Sequence, residues 1–106
     1  MNAAVAIATL DRFLADGGEV VTVRRGPTDI NVRTAVRPLG ALELRTGANG
    51  VQLNHRAVLS PTGLAALLPL RVTDKLVRGG QERAIGMVSP KAIGSAVVRI
   101  TLDFAG

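Results

Sequence analysis

The sequence has very few of the side chains that carry out chemistry or reinforce a small fold. Its 106 residues include no cysteine, tryptophan or tyrosine, one histidine and two phenylalanines. Without cysteine the chain can form neither disulfide bonds nor thiolate metal sites, which fits a reducing cytoplasm. With so few aromatic rings it lacks the platform on which bases of single-stranded nucleic acid stack, so an RNA-reading module is not expected.

Negative charge is the second shortage. The chain has 8 Asp and Glu residues against 13 Lys and Arg, so its net charge is +5 and its pI is about 11.4. This surplus of positive charge favours a polyanion, DNA above all, as a neighbour. The carboxylates are dispersed and show no metal-ligand spacing, so neither a metal nor a cofactor is predicted.

Candidates for catalysis are correspondingly few. The single histidine, His55, falls in phase with the apolar face of a predicted strand, which is typical of a hydrogen-bonded histidine in or beside a core. Ser60, Ser89 and Ser95 each adjoin turn residues, and turn formation accounts for them better than a role as nucleophile. The sequence therefore predicts that the protein is not an enzyme.

Long hydrophobic runs are also missing. The apolar stretch from Met1 to Leu10 has no basic segment before it and ends at Asp11 and Arg12, so it is not expected to be a signal peptide. No other stretch is long enough to span a bilayer, and no membrane partner is predicted.

The chain does contain many small aliphatic residues, and they follow two different patterns along the sequence. Hydrophobic residues make up 47% of the sequence, and the length predicts a single domain, 1–106. Residues 2–16 have a helical stripe that ends at Gly17-Gly18, and the stripe consists of Ala3, Ile7, Leu10 and Leu14. Residues 19–104 change to β-branched segments of period two and are predicted to form a β domain.

The predicted β domain consists of six strands with short connections. Gly79-Gly80 predicts a tight hairpin turn, Ser89-Pro90-Lys91 a second connection, and residues 64–68 a short helical insert. Six sequential strands in so small a chain are expected to form an antiparallel barrel or sandwich that protects their edges. The strands are expected at 20–25, 30–37, 51–60, 74–78, 81–88 and 96–104.

Arginines on the polar faces of two strands form the one suggestive charge pattern. Arg33 and Arg37 lie on one polar face, and Arg56 lies on the polar face of another strand. Such a face is either simply solvated or lines a channel that holds DNA through non-specific phosphate contacts. Both interpretations stay open from the sequence.

Most of the chain resembles small head-tail joining proteins of tailed phages, prophages and gene transfer agents. Two long motifs carry the resemblance, and further matches lie at residues 16–21, 24–25, 36–38, 43–44 and 87–95. The two long motifs are Arg56-Ala57-Val58-Leu59-Ser60-Pro61-Thr62 and Asp74-Lys75-Leu76-Val77-Arg78-Gly79-Gly80-Gln81-Glu82-Arg83-Ala84-Ile85. None of these motifs is catalytic.

The resemblance implies a structural protein of the phage neck that forms a homo-oligomeric ring, with DNA passing through its lumen. Its partners would be a portal or adaptor protein on one side and tail terminator or tail tube proteins on the other. It would be assembled in the bacterial cytoplasm and located in the virion or a phage-like particle. A tail terminator or tail completion protein, and a free basic β-barrel that binds nucleic acid, are the alternatives.

Two segments are expected to make the contacts between proteins, because one is irregular and the other is terminal. They are the loop at 38–50, which has no clear period, and the final strand. The residues predicted to contact partners are Leu42, Glu43, Leu44, Arg45, Thr46, Leu102 and Phe104.

Overall fold

The fold is a closed antiparallel β-barrel with one helix on its outside. A computed structural model describes residues 2–47, 50 and 52–106. The barrel strands follow the order β1-β2-β5-β8-β7-β6, and β3 and β4 form a separate two-stranded pair. The elements are α1 Ala3–Gly17, β1 Glu19–Arg25, β2 Thr28–Pro38, β3 Arg45–Thr46, β4 Gln52–Leu53, β5 His55–Leu59, β6 Lys75–Arg78, β7 Gln81–Ile93 and β8 Ala96–Phe104. The predicted mainly-β fold with an N-terminal helix is confirmed, as a barrel.

Helix α1 begins and ends where the sequence predicts. The side chain of Asn2 accepts a hydrogen bond of 2.8 Å from the amide of Val5 and so caps the first turn. At the other end, the amide of Gly18 donates to the carbonyl of Leu14 at 2.9 Å. A Cβ on Gly18 would lie 2.8 Å from the carbonyl oxygen of Thr34, so glycine lets the helix end approach β2 closely.

The barrel core is made of aliphatic side chains that alternate along each strand. The inward residues of the final strand, Ile100, Leu102 and Phe104, are each at most 2% exposed. They pack with the inward residues of the other strands, among them Val21, Val23, Leu59, Leu76 and Ile85. Phe104 is the one aromatic ring in this core, which agrees with the expected reliance on small aliphatic residues.

The predicted helical insert exists as a single 3₁₀ turn, Ala65–Leu67, between β5 and β6. Leu64 and Leu67 are buried in the barrel core. Arg25 anchors this segment, because its guanidinium donates to the carbonyls of Leu67 at 3.0 Å and Pro69 at 3.2 Å. The hydroxyl of Ser60, just before this segment, accepts a hydrogen bond from the amide of Thr62 at 3.2 Å, as a serine at a turn does.

The hairpin at Gly79-Gly80 is confirmed, but the second predicted connection is wrong. Both glycines have positive φ, 59° and 77°, as a tight two-residue turn requires. Residues 89–91 lie within β7, which continues to Ile93, and the chain turns only at Gly94. Pro90 is tolerated there because β6 pairs with β7 only as far as Ala84, so β7 has a neighbouring strand on one side alone.

The region from 38 to 60 also differs in detail from the prediction. The expected strand at 51–60 is divided into β4 and β5 by Asn54, and Val51 lies outside the described residues. The expected irregular loop at 38–50 is shorter, since β2 extends to Pro38 and β3 pairs with β4. Positions 48 and 49 of that loop also lie outside the described residues.

Candidate assembly surfaces

The three arginines predicted to face DNA lie on the outer surface of the barrel, and all three have partners within the chain. Arg37 of β2 and Arg56 of β5 are directly opposite each other in the ladder. Two like charges in this position repel each other, so nearby carboxylates are needed to stabilise the pair. Arg33 donates to the carbonyl of Gly18 at 3.1 Å and so contacts the end of α1.

Asp103 and Glu43 supply those carboxylates. Arg56 donates two hydrogen bonds, of 2.7 and 3.0 Å, to the buried carboxylate of Asp103 on β8. Arg37 donates two, of 2.9 and 2.8 Å, to Glu43 in the loop after β2. That the arginines contact DNA stays a prediction, and the charges of Arg37 and Arg56 are already compensated inside the chain.

Glu43 fastens the loop between β2 and β3 to the barrel wall. Besides the two bonds from Arg37, its carboxylate accepts from the amide of Gly40 at 3.0 Å, and it lies 3.6 Å from Arg56. The hydrogen bonds from Arg37 and then from Gly40 lower the pKa of Glu43 to about 2. The carboxylate is therefore charged at any ordinary pH, and we call this set of contacts the Glu43 latch.

The latched loop presents leucine side chains to solvent. Leu42 is completely exposed, at 102%, and Leu44 is exposed at 41%. Arg45 approaches the sulfur of Met87 at 3.5 Å, and Thr46 pairs with Gln52 across the β3–β4 ladder. Leu42 and Leu44 are therefore exposed on the loop that the Glu43 latch holds, and Arg45 and Thr46 follow this loop in β3.

Leu102 and Phe104 require a correction. Both are 0% exposed and belong to the core of the barrel. The period-two pattern of β8 puts them on the same face as Ile100, which leaves Thr101 and Asp103 on the outer face. The prediction that Leu102 and Phe104 contact a partner is therefore wrong for this structure, and we assign them to folding.

Apolar grooves flank the hairpin of β7 and β8 on both faces. The inner groove has a volume of about 390 Å³ and no charged lining; its lining residues include Leu68, Leu70, Val88, Pro90, Val97 and Ile100. The outer groove, of about 480 Å³, lies between the hairpin and α1 and is lined by Leu10, Phe13, Val58, Ile93 and Val98 together with Lys91 and Arg99.

Only part of these grooves could be anticipated from the sequence. Phe13 lies beside the apolar stripe of α1, and in the structure 61% of it is exposed at the outer groove. The inner groove could not be anticipated, because the segment 89–91 was expected to be a turn. Lys91 and Arg99, which pair directly across the hairpin, have no ion-pair partner among the described residues.

The single histidine is held by contacts within the barrel wall. The ring of His55 stacks on Phe104 with centroids 5.6 Å apart, and its Nδ1 lies 2.9 Å from the side-chain oxygen of Asn54. Across residues 2–47, 50 and 52–106, no three or more His, Asp or Glu residues converge as metal ligands would. Within the same ranges, no helix has the length and apolar character needed to cross a membrane.

Comparison with models of known protein families and with curated protein sequences finds no match to this chain.

Proposed function

We propose that this chain is a structural subunit of a phage neck, a head-tail connector or head completion protein that forms a homo-oligomeric ring. The proposal rests first on the sequence resemblance, which covers most of the chain. It is supported by a β-barrel in which most of the described carboxylates are engaged in ion pairs or hydrogen bonds. In this role the protein is not an enzyme, and it needs no cofactor.

The observation that carries the proposal is the solvent-exposed apolar surface around the β7–β8 hairpin and the Glu43 latch. An exposed leucine at a fixed loop, and grooves on two faces of one hairpin, leave apolar area in water that a neighbouring subunit would remove. Contacts between two different patches of one subunit can close into a ring. Several copies of a small barrel can enclose a large pore in this way.

The same surface suits a tail terminator or tail completion protein, which would also assemble in the virion. A free basic barrel that binds nucleic acid is favoured by one specific observation, the uncompensated Lys91 and Arg99 pair. Such a module would act as a monomer and would bind DNA with a steep dependence on salt concentration.

Native mass spectrometry and negative-stain microscopy of the purified protein, with and without a portal, test the proposal. We expect closed homo-oligomers, and we expect the protein to be found in particles. A protein that is monomeric at every concentration and absent from particles would overturn the proposal. Strong salt-dependent binding of the monomer to duplex DNA would then favour the nucleic-acid module.

A further inference from the structure

The inner groove is an extension of the barrel core that the chain does not fill. Its floor is formed by Ile100, which is 2% exposed, and Leu70, which is 6% exposed. Its walls, Val88, Val97 and Leu68, are partly buried against the same core. An apolar side chain placed in this groove would continue the close-packed interior, and a charged one would not be compensated there.

Leu42 has the properties that this groove requires. It is an aliphatic side chain with no contact to its own barrel, since it is fully exposed. The Glu43 latch holds the loop beside it through the bonds from Arg37 and Gly40. A preorganised loop loses little conformational entropy when its leucine is buried, so more of the burial energy is available for binding.

The leucine of one subunit lies on the opposite face of the β7–β8 ladder from its own groove. Glu43 of the latched loop lies 3.6 Å from Arg56, which pairs with the outward Asp103, and Arg45 of β3 lies 3.5 Å from the outward Met87. Met87 and Asp103 pair with each other in the ladder between β7 and β8. The groove is formed by inward residues of the same two strands, Val88, Pro90 and Ile100. The strands themselves separate the two surfaces, so a single copy cannot insert its own leucine.

We propose that Leu42 of one subunit inserts into the inner groove of the next copy, at Val88, Val97 and Ile100, and that this contact links the subunits of the ring. This inference rests on the proposed homo-oligomer and specifies its interface. The contact joins two different patches, so it repeats head to tail and either closes into a ring or grows as a filament.

The absence of cysteine allows a direct test by disulfide trapping in the full chain. In the double variant Leu42→Cys with Val97→Cys, oxidation is expected to give a ladder of covalent oligomers up to the size of the ring. An equimolar mixture of the two single variants should give dimers of two chains and nothing larger. The matched control replaces Leu42→Cys by Val20→Cys, at another exposed aliphatic position on the outside of β1, and should give no ladder.

A second variant measures how much the contact contributes to assembly. Leu42→Asp, a change at a fully exposed position, should leave the circular dichroism spectrum unchanged and weaken assembly about thirtyfold, because the groove offers no partner for a desolvated carboxylate. Val20→Asp should assemble like the natural protein. Rings that form normally in Leu42→Asp, or that give no ladder above the control, would overturn this interface and leave the proposed function standing. Absence of any oligomer in the unaltered protein would overturn both.

Discussion

The barrel interior and the surface around the β7–β8 hairpin use the same aliphatic residues, yet only the interior is closed to water. The inward side chains Ile100, Leu102 and Phe104 of β8 are each at most 2% exposed. On the surface, by contrast, Phe13 and Leu42 are more than half exposed, and grooves remain on both faces of the hairpin. Folding thus completes the interior, whereas the surface would be completed only by the assembly proposed above.

The ion pairs of the interior and of the surface also differ, in how deeply their carboxylates are buried. Asp74 and Asp103 are almost completely buried, and each accepts two hydrogen bonds from one arginine, Arg25 and Arg56 respectively. Among the described residues no buried side-chain nitrogen or oxygen lacks a partner. Glu43, in contrast, is partly exposed and orients a loop. Buried pairs therefore belong to the stability of the barrel, and the exposed pair belongs to its proposed interface.

The largest expected effect is on the interior, from Phe104→Ala. Removing this fully buried ring leaves a cavity and also removes the stacking partner of His55, so we expect the free energy of unfolding to fall by about 3–5 kcal/mol. Urea denaturation followed by circular dichroism measures the change. Leu42→Ala, at a fully exposed site, is the matched control and should leave the unfolding free energy nearly unchanged.

The same pair of variants can show whether the distinction between interior and surface is wrong. If Phe104→Ala remained as stable as the natural protein and impaired assembly alone, the aromatic side chain of Phe104 would belong to an interface, as the terminal position of β8 predicts. If Leu42→Ala lowered the stability of the monomer substantially, the loop would belong to the core and the distinction between the two regions would fail.

A smaller effect is expected from the buried ion pair, in Asp74→Asn. The carboxylate accepts from Arg25 at 2.7 and 2.8 Å and from the amide of Arg71 at 2.8 Å. Since the asparagine can accept at only one oxygen and leaves the arginine without its counter-charge, we expect a loss of about 2–3 kcal/mol in the free energy of unfolding. Asp29→Asn, in an exposed pair with Arg24, should change stability little.

The pH dependence of stability sharpens this prediction. Burial alone would raise the pKa of Asp74, but the hydrogen bonds from Arg25 and from the Arg71 amide outweigh it and hold that pKa below its ordinary value. The pair therefore stabilises the fold at neutral pH, and the contribution is lost as the pH falls through the lowered pKa. Asp74→Asn should flatten the acid limb of the stability profile. An unchanged acid limb would contradict the role given to this carboxylate.

Local patterns made the fold predictable to a large extent. Period-two alternation located the strands because each has one face in the core, and Gly79-Gly80 located a turn because both positions need positive φ. Pro90 misled the prediction, since proline usually interrupts a paired strand and its position at an unpaired edge depends on where β6 ends. The position at which the pairing of β6 with β7 stops depends on the tertiary structure and has no local signal in the sequence.

The candidate site was less predictable for a similar reason. The arginines were recognised on their polar faces, but the register that sets Arg37 opposite Arg56, and Arg56 opposite Asp103, appears only when the sheet closes. The irregularity of their segment singles out Leu42 and Glu43, but the contacts of Glu43 with Arg37 and Gly40 have no signal in the sequence. Leu102 and Phe104 were selected for their terminal position, although the alternation along β8 already assigned them to the core.

The smallest effect on stability, and the one most specific to the interface, is expected from the Glu43 latch. Because its pKa lies near 2 instead of the ordinary 4.5, the latch contributes fully above pH 4.5 and is lost as the pH falls toward 2. An NMR titration of the Glu43 carboxyl should therefore show a midpoint near 2, and in Arg37→Gln the midpoint should move back toward 4.5.

Glu43→Gln should hardly change the unfolding transition, since the pair is exposed. It should nevertheless speed hydrogen exchange at the Gly40 amide and weaken assembly by freeing the loop that carries Leu42. A midpoint near 4.5 in the natural protein would mean that the loop is not held, and Leu42 would then be an ordinary exposed leucine.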